Sequence, residues 1–136
     1  MDTKQVNRHF IVIDDDPINN HICSRFIEIV FQGADIKTLT HPETALEYIG
    51  IDYLNGPEKD TILFLDINMP FLSGWDVLNR FALLPEKIKK QFSIYMLSSS
   101  VDIEDRKRAI NSPLVSGFIE KPLSIEGLQE MKLRLG

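Results

Sequence analysis

A chain of 136 residues, 43% hydrophobic and 26% charged, has the composition of one globular domain and the length to bury roughly two-thirds of its unfolded surface. Its net charge of −5 argues against nucleic acid as a partner, and no apolar run approaches the ~20 residues of a membrane-spanning helix. The lone Cys23 cannot form an internal disulfide, and Met1 to Arg8 lack the apolar stretch of a secretory signal, so the expected compartment is the reducing cytoplasm.

Along the chain, short apolar runs alternate with segments of helical period. Residues 9–14 predict a buried strand ending in Asp14-Asp15-Asp16, with Asp16 as N-cap and Pro17 in the first turn of a helix. Ile18, Ile22, Phe26, Ile29 and Val30 recur at helical spacing as its inner face, and Cys23 reads as a small buried hydrophobe of that helix. Gly33 ends it. Ala34 to Leu39 predict a second strand, and Pro42 opens a helix with Ala45, Leu46 and Ile49 inward. The turn Asn55-Gly56-Pro57 leads into a central strand over 61–66. Ser73-Gly74 precede a helix carrying Val77, Leu78 and Phe81, stopped by Pro85; Lys87 to Gln91 read as a polar connection into strand Phe92–Leu97. A short charged helix starts at Asp102 and breaks at Ser112-Pro113. Gly117 to Glu120 predict the last strand, and Ile125, Leu128, Met131 and Leu135 line a terminal helix. Five strands alternating with five helices predict an α/β fold, a parallel sheet with helices on both faces.

Strands of a parallel sheet end on one side, and open α/β sheets place their chemistry there. Asp14, Asp15, Asp66, Ser98 and Lys121 all fall at predicted strand ends. Clustered carboxylates repel one another unless a cation intervenes, and Mg²⁺ (or Mn²⁺) with oxygen ligands suits such a site. That ion could clamp a phosphoryl oxygen, with the Lys121 charge opposite and the Ser98 hydroxyl as hydrogen-bond donor. His9, His21 and His41 share no metal-ligand spacing, and the chain carries no Gly-rich phosphate loop or dinucleotide fingerprint.

The stretches Ile11-Val12-Ile13-Asp14-Asp15-Asp16-Pro17, Leu65-Asp66-Ile67-Asn68-Met69-Pro70, Met96-Leu97-Ser98-Ser99 and Phe118-Ile119-Glu120-Lys121-Pro122, together with Ser73-Gly74-Trp75, resemble the receiver domains of two-component response regulators. The resemblance covers nearly the whole chain. It implies a doubly wound flavodoxin-like, CheY-like (βα)5 fold with strand order 2-1-3-4-5. The expectation is one receiver domain over 1–136, with its core at about 8–135 and no output domain. By the same resemblance Asp66 is the phosphoacceptor and Lys121 the family lysine. Asp15 is a direct metal ligand, Asp14 acts through water, and Asn68 offers its backbone carbonyl. Ser98 is the switch hydroxyl, Phe118 the switch aromatic, and Lys121-Pro122 a candidate for a cis bond.

The implied donor is a histidine kinase or histidine phosphotransfer protein, and the implied product is an aspartyl phosphate. Output passes to another protein or along a phosphorelay through the fourth helix, fifth strand and fifth helix, as a monomer or a phosphorylation-dependent dimer. Beyond its own phosphorylation and dephosphorylation no enzyme activity is expected. Against the family pattern, Ser98 replaces the commoner Thr, Ser99 adds a polar group, and Phe118 lacks a phenolic hydroxyl; Asn68, Ser99 and Ser100 are the positions expected to set phosphoryl lifetime. Two rival readings use the same residues. A phosphatase resembling the haloacid dehalogenase group would take its nucleophile from Asp14-Asp15-Asp16 but leaves Asp66 without a role. An interaction module of the same fold would dispense with phosphorylation.

Overall fold

The computed structural model describes residues 8–99 and 102–135; Met1 to Asn7, Ser100, Val101 and Gly136 lie outside the described residues, and with them the reading of the N-terminus and of Ser100. Five parallel strands, β1 (His9–Ile13), β2 (Asp35–Leu39), β3 (Thr61–Asp66), β4 (Phe92–Ser98) and β5 (Val115–Glu120), form one sheet in the order β2-β1-β3-β4-β5. The strand order is the expected one. Side chains alternate across the sheet as the period of two demands. Ile11, Ile13, Leu63 and Leu65 enter one core with α2 (Pro42–Asn55), α3 (Gly74–Phe81), α4 (Glu86–Lys89) and α5 (Ile103–Asn111). Phe10, Val12, Ile62 and Phe64 enter the other with α1 (Pro17–Val30) and α6 (Ile125–Leu135). Both faces of β1 and β3 are covered, which is why their sequences read as unbroken apolar runs. No described helix is long and apolar enough to cross a membrane.

Two expectations need correction. The described residues hold six helices, because α4 forms within the stretch read as a polar connection. Pro85 precedes this single turn, which presses Ile88 (1% exposed) into the core. One apolar residue sets up no period, so the turn left no sequence signal. The second correction concerns α1, whose buried residues are Asn20, Cys23, Ile27 and Val30, while Ile18, Ile22 and Ile29 are exposed. This helix carries two stripes, and a polar requirement decides between them. The Asn20 amide donates to the Asp14 backbone carbonyl at 3.0 Å, which turns position 20 inward and rotates the isoleucines out. Asp16 is the N-cap, as anticipated, accepting from the Ile18 N–H at 2.9 Å; the helix ends at Val30, with Phe31 as its C-cap, shortly before Gly33, whose φ is 83°.

The register sets the depth of the site. Ile13 lies opposite Leu65, so Asp14 leaves β1 level with Asp66 at the end of β3. Asp66 lies opposite Leu97, and Ser98 opposite Glu120, which brings the ends of β4 and β5 to the same rim. The Ser98 carbonyl accepts the Lys121 N–H at 2.7 Å, tying the two loops together, and the Lys121-Pro122 peptide is cis.

Candidate functional site

Asp14 is almost fully buried and three donors hold its carboxylate. Oδ1 accepts the Asp16 N–H at 2.9 Å; Oδ2 accepts the Asn19 amide at 2.7 Å and the Lys121 ammonium at 2.7 Å. Lys121 Nζ lies 3.3 Å from Asp66 Oδ1, so one cation is shared by two carboxylates from different strands. The Asn68 N–H also donates to Asp66 Oδ1 at 3.3 Å. Asp15 is exposed, yet one oxygen each of Asp14, Asp15 and Asp66 fall within 4.8 Å of one another. Ser98 is wholly buried at the neighbouring strand end. Phe118 is half-buried on β5, with the Arg106 guanidinium of α5 5.3 Å over its ring. The structure thus brings Asp14, Asp15, Asp66 and Lys121 into one pocket. Ser98, Asn68 and Phe118 lie at its rim or on the strands that form it.

Charge balance in this pocket is uneven. Burial first, and then the charge of Asp14, push the Asp66 carboxyl up to about 6, against the opposing pull of Lys121 and the Asn68 N–H. Burial pulls the Lys121 ammonium down, but its hydrogen bond to Asp14 and the charges of Asp66 and Asp14 outweigh that and raise it. One ammonium therefore does not neutralise three carboxylates. A hard divalent ion with oxygen ligands fits the donor set, and the spacing of the three oxygens allows them to share it.

The sign of the Asp66 shift gives a test of this imbalance. A carboxyl raised in the fold favours the folded state while protonated, and that advantage is lost as pH rises through about 6. In EDTA, wild type is expected to lose on the order of 2–3 kcal/mol from this group between pH 4 and 7, the worth of about two pKa units. Asp66→Asn should remove that pH dependence and raise the melting temperature at pH 7.5. Chemical denaturation at several pH values measures the first and a thermal melt at pH 7.5 the second, and equal pH slopes for the two proteins would rule out the imbalance.

Sequence reasoning missed three contributors. Asn19 sits three residues beyond the N-cap Asp16, on the first turn of α1, where an amide points back at the end of β1. Asn20 holds the Asp14 main chain from the same turn. On α3, Trp75 is buried, and its indole N–H donates to Asp105 of α5 at 2.9 Å, with Arg108 4.5 Å over its ring. No spacing rule links residues thirty positions apart. Cys23 is the buried hydrophobe expected, its thiol pushed up to about 11 by burial and then by Asp14.

Comparison with known proteins agrees with this geometry. The family model described as the response regulator receiver domain matches residues 10–132. The two-component response regulator ARR7 of Arabidopsis thaliana is 24% identical over 133 residues, covering 91% of this chain and 60% of that protein. The response regulator SaeR of Staphylococcus epidermidis is 27% identical over 103 residues, covering 69% of this chain and 41% of its own. The chain therefore spans roughly half the length of these relatives. Among solved structures, a two-component response regulator from Cytophaga hutchinsonii is 27% identical with a TM-score of 0.84, covering 95% of this chain and 96% of its own. A response regulator receiver protein from Dyadobacter fermentans is 25% identical with a TM-score of 0.81, covering 93% and 96%.

Proposed function

We propose that this chain, which belongs to the response regulator receiver domain family, takes a phosphoryl group from a phosphohistidine onto Asp66 and signals by changed contact with another protein. Receiver domains in general act with histidine kinases or histidine phosphotransfer proteins. The observation that carries the reading is the Lys121 ammonium held 2.7 Å from Asp14 and 3.3 Å from Asp66, at the rim where three strands deliver their ends. A carboxylate oxygen of Asp66 attacks phosphorus as the P–N bond breaks, and the imidazole leaves. Lys121 offsets charge on the transferring group. Asp14, Asp15, Asp66 and the Asn68 backbone carbonyl would hold Mg²⁺ or Mn²⁺, which supplies charge neutralisation and a clamp on a phosphoryl oxygen. The buried Ser98 hydroxyl donates to the phosphoryl group once formed, and Phe118 follows it.

Output then passes through α5, β5 and α6, the face that the extra helix α4 renumbers from the expected fourth and fifth helices. The chain turns over no external substrate on this reading; its chemistry is directed at its own aspartate. Phosphatase chemistry based on Asp14 finds no support. That reading gives Asp66 no role, although Lys121 Nζ lies 3.3 Å from its Oδ1.

Incubation with Mg²⁺ and acetyl phosphate, followed by intact-mass measurement, tests the proposal. One base-labile phosphoryl group on wild type and none on Asp66→Asn is the expected result. Absence of an adduct on both proteins, with no beryllofluoride complex, would leave only the unphosphorylated interaction module.

A further inference from the structure

The pocket contains one side chain whose role neither the composition of the site nor the family match assigns. Asn19 is half-buried on the first turn of α1, and its amide nitrogen lies 2.7 Å from Asp14 Oδ2. Lys121 Nζ approaches the same oxygen at the same distance, so two donors bracket one acceptor. The other contact of the Asn19 amide is a long one, 3.7 Å to the Cys23 sulfur. One residue on, Asn20 pins the Asp14 backbone carbonyl.

The consequence lies in what happens to Lys121. In the unphosphorylated pocket its ammonium is divided between Asp14 and Asp66. A phosphoryl group arriving at Asp66 brings more negative charge than the carboxylate it replaces, and a lysine is a compact charge on a flexible stem, free to move toward it. Leaving Asp14 would strand a buried carboxylate oxygen if nothing else donated to it. Asn19 is the donor that stays. It is neutral, so it does not compete with Lys121 for the phosphoryl charge, and its short side chain on the α1 turn holds it in place.

We infer that Asn19 is a positioning residue for phosphoryl transfer: it keeps Asp14 hydrogen-bonded and oriented while Lys121 turns from Asp14 to the phosphoryl group. This rests on Asp66 being the phosphoacceptor. It predicts that Asn19 acts on the rate through Lys121 and not through metal affinity or packing.

The test measures acetyl phosphate labelling rates and, separately, Mg²⁺ affinity by calorimetry without phosphodonor. Asn19→Ala is expected to slow labelling about tenfold, the worth of one hydrogen bond to a charged group, with Mg²⁺ affinity changed less than about threefold. In a Lys121→Met background the same substitution should slow labelling no further, because the motion it supports is gone. Cys23→Ala, which removes the other Asn19 contact, should label like wild type. Asn19→Leu, close in shape but without a donor, replaces Asn19→Ala if the smaller side chain fails to fold. A wild-type rate in Asn19→Leu or Asn19→Ala overturns the inference while Asp66 labelling stands. So does a slowing matched by lost Mg²⁺ affinity, or one that persists undiminished beside Lys121→Met. Failure of wild type itself to label on Asp66 overturns both readings together.

Discussion

Lys121→Met should lower the rate of acetyl phosphate labelling by a factor of about 10²–10³, the range seen when one preorganised charge stabiliser is removed from a transition state. It should also destabilise the metal-free protein. Among the described residues, Lys121 is the one cation within ion-pair distance of both Asp14 and Asp66, which are 1% and 3% exposed. Methionine keeps the length of the stem and removes the charge, leaving two buried carboxylates facing each other. Breaking a buried pair costs about 3–5 kcal/mol, and partial protonation of Asp66, already displaced to about 6, relieves some of that. A loss of roughly 2–4 kcal/mol at pH 7.5 in EDTA is the expected outcome, or ~6–15 °C in melting temperature for a domain of this size.

The penalty has a direction in pH and in metal. Without the pull of Lys121 the Asp66 carboxyl is held above its wild-type value of about 6, so as pH falls toward that value its proton replaces the missing ammonium and the gap between variant and wild type should close. Saturating Mg²⁺ should close it too, while leaving labelling slow, since a metal on the carboxylates does not replace the charge on the far side of the phosphoryl group. Denaturation with and without Mg²⁺, beside labelling kinetics, separates the two roles. A variant that labels at the wild-type rate would remove Lys121 from the chemistry.

Gly74→Ala carries the second large effect. A Cβ at Gly74 would run into the Asp66 carbonyl oxygen and come to 2.9 Å from Ile67 Cα. Neither obstacle is a flexible side chain, and the Gly74 N–H already donates to the Ile67 carbonyl at 2.8 Å. The start of α3 must therefore move away from the end of β3, at a cost of about 3 kcal/mol. Displacing the Asp66 main chain should also slow labelling by roughly tenfold or more, since an ångström of misplacement costs ~10² in rate. Gly50→Ala is the contrasting control. That position lies inside α2, with Leu84 Cδ2 as the nearest contact at 4.0 Å, so alanine should stabilise by about 0.5–1 kcal/mol. Equal melting temperatures for the two variants would show that close backbone approach at Gly74 is unimportant.

The strands and the pocket were legible in the sequence because both are written locally. Thr61 to Asp66 are buried throughout, and such a run can be little else than a central parallel strand. Asp14, Asp66 and Lys121 stand at strand ends, and a parallel sheet brings strand ends together whatever the helices do. What the sequence hid is what depends on contact across the fold. The inner face of α1 could not be chosen by hydrophobicity, since the decision rests on Asn20 reaching the Asp14 carbonyl. Ile88 makes a helical turn by filling one gap in the core, and a single residue has no period. Asn19 and Trp75 act on partners that only the folded chain supplies.

Helix α5 is attached differently from its neighbours. Of its residues only Ala109 is buried; Asp105 and Arg108 grip Trp75, and Arg106 covers Phe118. A helix fastened this way can exchange most of its outer residues with little loss of core. Ile103, Ile110 and the charged positions around them can drift as a set while Asp66 and its pocket stay unchanged. Such exchange would change what the helix presents to solvent and leave its seat against Trp75 and Phe118 as it is.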